Sequence, residues 1–253
     1  MSDRLVAETE HHDHFFEHEA DLFDTPAFAL ARRRLAQVVL GALRGTRRGT
    51  ILSVGAGDGW LELELAPRFD KVVAIEISPK AVRIARARAR GAGVSNVEFR
   101  VGDAESLPMP DGSVDVVLAS HVLHHVGDDN EIRLVLERAG WWLRSGGVAL
   151  SADPSSRRAI GVLQRLVQGT YDKYHSPDER ELNPKAMVTL YRAAGYSDVR
   201  LSYYDFFFGP LAWTYPRCPE RLLPAALTLD KALVAVPGVR NYASSFLVRA
   251  RKR

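Results

Sequence analysis

Thr50-Ile51-Leu52-Ser53-Val54-Gly55-Ala56-Gly57-Asp58-Gly59-Trp60-Leu61 is a β-branched and apolar run that breaks into three glycines at alternate positions and passes directly into a helix-compatible segment. The pattern reads strand, tight glycine loop, helix. Glycine at alternate positions lets the backbone take positive φ and brings its N–H groups close to a ligand, because no Cβ intervenes. The loop is therefore a cradle of nucleotide type. In the dinucleotide fingerprint G-x-G-x-x-G the third glycine comes one residue later than Gly59 does, and no G-x-x-x-x-G-K-[ST] lysine for a triphosphate is present.

Working downstream, residues 60–66 continue as helix and Pro67 helps end it. Residues 71–77 form a second strand, with Val72-Val73-Ala74-Ile75 the continuous apolar run of a strand buried on both faces. Glu76 stands at its end, about 20 residues after the glycines, where an acid can accept both hydroxyls of a ribose. Ser78-Pro79 supplies a cap and a first-turn proline for a helix over 79–90, which Gly91 and Gly93 break. A third strand over 97–101 runs into Gly102-Asp103-Ala104. The turn-rich Pro108-Met109-Pro110-Asp111-Gly112 leads to a fourth strand over 114–118, which ends in Ala119-Ser120-His121-Val122-Leu123-His124-His125-Val126. A helix over 129–143, a Ser145-Gly146-Gly147 turn and a fifth strand over 148–152 follow, closed by Asp153-Pro154. Strands separated by helical stretches predict a parallel doubly wound sheet with ligands beyond the carboxyl ends of the strands. Ser53, Glu76, Asp103, His121 and Asp153 all fall at or near such ends.

Upstream, residues 8–24 hold His11, His12, His14 and His18 among acids and Phe15, Phe16 and Phe23. His14 and His18 stand one helical turn apart, a spacing that can serve a metal. No cysteine or HExxH pattern accompanies them, so the reading is a helix covering the site with Phe15 and Phe16, and no metal. Residues 27–43, with Leu30, Leu35, Val38, Val39 and Leu43 at helical intervals, form an amphipathic helix ending near Gly45. Beyond the fifth strand the composition changes. A segment containing Leu163, Leu166 and Val167 precedes Tyr171, Tyr174 and His175, and reads as an inserted lid. Asn183-Pro184 caps a helix through Ala194, a sixth strand spans 199–206, and 242–249 has strand character.

These residues, in order, resemble the class I S-adenosylmethionine-dependent methyltransferases of small-molecule type. Gly55, Gly57 and Gly59 are similar to the family's first motif, Glu76 to its ribose acid and Asp103 to the acid that hydrogen-bonds the adenine amino group. The turn carrying Leu123-His124-His125-Val126 is similar to an "LHHV"-like segment after the fourth strand. Nucleic-acid amino-methyltransferases carry an Asn/Asp-Pro-Pro-aromatic run there, which this sequence lacks. The resemblance implies a Rossmann-like seven-stranded sheet, mostly parallel with the last strand antiparallel beside the sixth, with helical lid insertions. It implies one domain over 1–253: a helical cap (1–45), a cofactor-binding core (46–154), and lid or substrate insertions at 155–182 and 207–241, the second in the hairpin between the last two strands.

The cofactor implied is S-adenosyl-L-methionine, held by Ser53, Gly55, Ala56, Gly57, Glu76, Ile77, Asp103, Ala104, Ser120 and His121. Methyl transfer to an O or N atom of a small, partly apolar molecule would then draw a base from His124 or His125, because imidazole titrates near neutrality. Neighbouring helical residues point about 100° apart, so one of the two faces the substrate. Asp153 would orient that histidine or bind substrate, and Phe16, Tyr171, Tyr174 and His175 would line the pocket. One departure stands out: many members place an acid two residues before the first glycine, where this chain has Ser53. A binding module that kept the fold without catalysis, or an enzyme acting on a lipid-like or peptide substrate, is the alternative.

Composition sets outer bounds. The chain has 253 residues, 46% hydrophobic and 26% charged, with a formal charge of +3, which suits one large α/β domain and not wholesale disorder. Arg83, Arg86, Arg88 and Arg90 form either a phosphate-binding face or a solvated helix face; the second is adopted, and nucleic acid is not the expected partner. Cys218 is the single cysteine. Residues 1–10 lack a basic region leading into an apolar one, and no stretch reaches the roughly 20 apolar residues of a membrane span, so the expected location is the cytoplasm. Residues 206–216, Phe-Phe-Phe-Gly-Pro-Leu-Ala-Trp-Thr-Tyr-Pro, carry many large apolar side chains. They read as pocket wall, homodimer interface or shallow peripheral membrane contact.

Overall fold

The computed structural model describes residues 3–18, 20–103, 107, 109–159 and 179–253. Its centre is β1 (Thr50–Val54), which pairs in parallel with β2 (Lys71–Glu76) on one side and β4 (Val114–Ser120) on the other. β3 (Val97–Val101) extends the sheet beyond β2 and β5 (Leu143–Pro154) beyond β4, again in parallel. β7 (Ser245–Lys252) then lies antiparallel between β5 and β6 (Tyr196–Asp205), giving the seven-stranded order β3-β2-β1-β4-β5-β7-β6. The strand order reverses between β1 and β4, and the glycine loop and the His-rich turn leave the sheet on either side of that point, where doubly wound folds bind ligands.

The continuous apolar strands are explained by two packed faces. Ile51, Val72, Val116 and Val148 are register neighbours across four strands and are all fully buried. They pack on Leu35 and Val39 of α2 (Pro26–Ala42) and on Leu61 and Leu65 of α3 (Trp60–Leu65). The next row, Leu52, Val73, Val117 and Ala149, faces the opposite side. It meets Ile132, Leu136 and Trp142 of α5 (Asp129–Trp142) and Met187 and Tyr191 of α6 (Pro184–Ala193). Each such aliphatic side chain contributes about 1.5–3 kcal/mol when buried, and a one-residue slip would exchange the two faces, so the register is strongly specified.

Helix ends follow the capping chemistry of the sequence. Ser78 Oγ accepts from Ala81 N at 3.0 Å and Pro79 opens α4 (Pro79–Gly91). Asp128 accepts from Asn130 N and Glu131 N at the start of α5, and Asn183 from Lys185 N and Ala186 N at the start of α6. The Ser145-Gly146-Gly147 turn is present, but inside the span of β5: Leu143 pairs with Val114 and Val148 with Val116, so the residues between bulge outward around Gly146 at φ +74°. β6 begins three residues before the expected position and runs past a bulge at Asp198, whose φ is +46°. β7 starts later than expected because Val239–Tyr242 closes into a 3₁₀ turn.

The two apolar segments at either end of the chain meet. α1 (Asp3–His18), a 3₁₀ turn (Ala20–Asp24) and α2 pack against α7 (Phe208–Thr214) and α8 (Leu223–Ala235), which lie between β6 and β7. Phe208, Ala212 and Leu223 are buried on Ala27 and Phe28, and Trp213 contacts Phe15, Phe23 and Phe28. Much of the apolar character in residues 206–216 is thus consumed inside the molecule. A buried carboxylate fixes the junction: Asp230 of α8 accepts from Phe206 N, Phe207 N and Phe208 N at 3.0, 2.7 and 2.9 Å and pairs with Arg34 of α2. No helix among the described residues is long and apolar enough to cross a membrane.

Candidate active site

The glycine loop keeps three left-handed residues for three separate reasons. Gly55 (φ +69°) faces the His-rich turn: a Cβ there would stand 2.3 Å from Val122 Cγ2. Gly59 (φ +76°) opens α3 against Phe99 and Ala85, which a Cβ would approach to 2.6 and 2.7 Å. Gly57 (φ +53°) is the open one, with only Phe16 Cζ at 3.4 Å from a Cβ position. Two glycines therefore serve packing, and the middle one leaves a shallow cradle roofed by the buried Phe16 ring of α1.

Glu76 joins this cradle from β2. Its Oε2 accepts from Gly57 N at 2.8 Å and its Oε1 from Ser78 N at 2.9 Å, which fixes the carboxylate at the strand end. Each oxygen keeps a second acceptor direction, the capacity a ribose diol needs. Ile77 follows half-buried, and Gly102 N donates to Glu76 O at 3.0 Å, so Asp103 stands beside the same strand end, also half-buried. Ala56 is buried and hydrogen-bonded through its N–H to Ile75 O. Ala104 lies outside the described residues, as do Tyr171, Tyr174 and His175 of the expected pocket lining.

Ser53 has an acid behind it after all. Its Oγ donates to Glu62 Oε1 at 2.6 Å, and Glu62, on the first turn of α3, is buried. Burial pushes the Glu62 carboxyl up to about 7, with the Ser53 hydrogen bond opposing the shift. Where many members carry a carboxyl two residues before the first glycine, this chain has a serine hydroxyl backed by a buried carboxyl from nine residues on, in the helix. A Ser at the strand end with a Glu in the following first helical turn was the available sequence signal.

On the other side of the switch point, Ser120 is half-buried and His121 adopts φ +56°, rare for a non-glycine residue and common at functional turns. His121 N donates to Ala152 O at 2.7 Å, and its ring Nε2 lies 3.5 Å from the Tyr204 hydroxyl. The 3₁₀ turn Leu123–His125 then separates the two candidate bases. His124 is buried with Nδ1 3.1 Å from Asp153 Oδ1, while His125 turns away toward Glu8 and Glu179. Asp153 is fully buried at the end of β5; burial raises its pKa to about 6, with the nearby His121 opposing.

The arginine helix is more structural than expected. Arg88 and Arg32 clamp the buried Asp58 of the glycine loop, Arg32 also lies over the Phe23 ring at 4.1 Å, and Arg86 donates to Phe99 O. Arg83 and Arg90 remain exposed.

Residues 51–147 match the family model described as a methyltransferase domain. Over that segment the chain is similar to the class I S-adenosylmethionine-dependent methyltransferases. It is 34% identical over 120 residues to the uncharacterized methyltransferase YcgJ of Bacillus subtilis, a match covering 46% of this chain and 47% of that one. Over 153 residues it is 33% identical to a ubiquinone biosynthesis O-methyltransferase of Azorhizobium caulinodans, covering 56% and 58%. The crystal structure of the Bacillus YcgJ protein superposes with a TM-score of 0.56 at 22% identity over 87% of this chain and 98% of that one, a likeness of fold. The chain spans about half the length of the curated relatives it matches. S-adenosylmethionine is the family's cofactor, and the open face at Gly57 with the acceptor-rich Glu76 suits its ribose.

Proposed function

We propose that this chain methylates a hydroxyl oxygen of a small, partly apolar molecule, with His124 as general base and Asp153 as its positioning residue. The observation that carries the reading is the buried His124 Nδ1 to Asp153 Oδ1 contact of 3.1 Å at the switch point of the sheet. Bound at Gly57 and Glu76, S-adenosylmethionine supplies a methyl carbon already activated by its sulfonium. The protein's work is then orientation, worth about 7–11 kcal/mol in favourable cases, and proton removal. With Nδ1–H held on Asp153, the imidazole keeps its lone pair on Nε2, which can take the proton of an acceptor hydroxyl as the methyl group arrives. An amine acceptor that enters neutral has less need of such a base, so the dyad favours oxygen over nitrogen. The name of the Azorhizobium relative supports the same choice. A small molecule is the expected partner, in the cytoplasm.

The test is labelled methyl transfer to a panel of phenols, alcohols and amines. His124→Gln should lower kcat on hydroxyl acceptors by about 10²- to 10⁴-fold while S-adenosylhomocysteine still binds in calorimetry. Unchanged kcat in that variant, or equal loss of turnover and cofactor binding, refutes the assignment.

A lipid-like acceptor is the second reading, favoured by a surface feature. Leu222, Leu229 and Val236, seven residues apart on and at the ends of α8, are exposed, as is Tyr215 at the end of α7, in the segment whose other side is buried. Flotation with anionic vesicles that survives high salt would support it. Concentration-dependent self-association by ultracentrifugation would assign the same face to a homodimer.

A further inference from the structure

We propose that Glu8, His12 and His125 form a site for a divalent cation of the zinc class, joining α1 to the turn after β4. Glu8, His12 and Phe16 repeat every four residues and so share one face of α1. That face turns inward: Glu8 and Phe16 are buried and His12 is half-buried, whereas His14 and His18 are exposed. The metal-like spacing of His14 and His18 therefore points to solvent, and the converging ligands come from the other histidine register together with a distant turn.

Glu8 Oε2 lies 3.5 Å from His12 Nε2 and 3.4 Å from His125 Nδ1. One ligand atom from each of the three residues falls within a mutual 4.8 Å. These separations exceed the about 2.7–2.9 Å of charge-assisted hydrogen bonds between such groups. The two separations from Glu8 match the edge of a tetrahedron around a metal: with bonds of about 2.0–2.1 Å, neighbouring ligand atoms stand about 3.3–3.4 Å apart. An octahedral face at similar bond lengths would need about 3.0 Å. His125 Nδ1 is buried and makes no hydrogen bond among the described residues.

The surroundings are also those of a ligand. On its far side, His125 Nε2 lies 3.8 Å from Glu179 Oε1, a carboxylate behind a ligating imidazole of the kind that fixes ring orientation and raises basicity. The His12 ring stacks on Phe16, the roof of the Gly57 cradle, at 6.4 Å between centroids. Two imidazoles and one carboxylate form a donor set suited to zinc, with a fourth tetrahedral position left for water or an acceptor oxygen. The bound ion would pin α1, and Phe16 with it, over the glycine loop.

The test is titration of cobalt(II), a coloured stand-in for zinc, into the metal-stripped full chain. The site predicts one equivalent bound with visible absorption of tetrahedral intensity, displaced by zinc. Glu8→Gln, His12→Gln and His125→Gln should each abolish the band or weaken binding at least about 10-fold. The double change His14→Ala with His18→Ala should leave it intact. Absence of a tetrahedral band in the unaltered chain overturns the proposal, even if a replacement variant fails to fold. So does a band that survives His12→Gln and His125→Gln, or one that disappears with His14 and His18. The titration needs neither acceptor nor turnover, so its result stands apart from the methyl-transfer assignment.

Discussion

Replacing Glu62 with Gln should make the protein more stable at neutral and alkaline pH than the unaltered chain. The side chain is buried and its pKa is raised from 4.5 to about 7, chiefly because burial penalises the charged form. The sign follows from proton binding. Below pH 4.5 the group is protonated in folded and unfolded chains alike and costs nothing. Between 4.5 and about 7 the unfolded chain releases the proton while the folded one retains it, so stability falls as pH rises. Above about 7 the full deficit is present, and a displacement of this size corresponds to about 3 kcal/mol. Gln keeps the shape and can still accept from Ser53 Oγ, which donates to Glu62 Oε1 at 2.6 Å. Its amide replaces Oε2, which is buried without a hydrogen-bond partner among the described residues, so any cost of that exchange is independent of pH. Urea unfolding of both proteins at intervals from pH 4.5 to 8 reads the difference directly. The gap between the curves should widen by up to about 3 kcal/mol across that range. Parallel curves would refute the claim that Glu62 is held neutral by burial.

The other expectations concern the glycine loop and the insertion. Gly59→Ala should cost about 1–3 kcal/mol in urea unfolding, because its Cβ would meet Phe99 and Ala85 at 2.6 and 2.7 Å in a left-handed backbone. Gly57→Ala, whose Cβ meets only Phe16 at 3.4 Å, should cost less stability but weaken S-adenosylhomocysteine binding in calorimetry. Asp230→Ala should lose about 1–3 kcal/mol by leaving three backbone N–H groups unanswered, with Asp205 still beside Arg34, whereas Asp230→Asn, which keeps an acceptor for the N–H groups, should lose less. If the two Asp230 changes have equal effects in urea unfolding, those three hydrogen bonds contribute nothing.

What could be read in the sequence was local, and what could not was made by partners distant in the chain. β1 to β4 follow from short apolar runs bounded by Gly, Pro and Asp, since strands buried on both faces tolerate little else. Glu76 could be placed because it ends a strand, and a strand end in this topology has one location relative to the glycine loop. The division between His124 and His125 could not be read from adjacent letters. It is set by Asp153, 29 residues away, and by Glu8 on the first helix. The same holds for Ser53: its missing charge is a local fact, but the Glu62 carboxyl that stands behind it depends on how α3 leaves Gly59. Residues 206–216 show the limit most clearly. Hydrophobicity alone signals that such a surface will be covered, yet the cover is α2 and the 3₁₀ turn before it, and the clamp is Arg34 with Asp230, separated by 196 residues. No local pattern distinguishes a face buried by the chain's own N-terminus from one that awaits another molecule or walls a pocket.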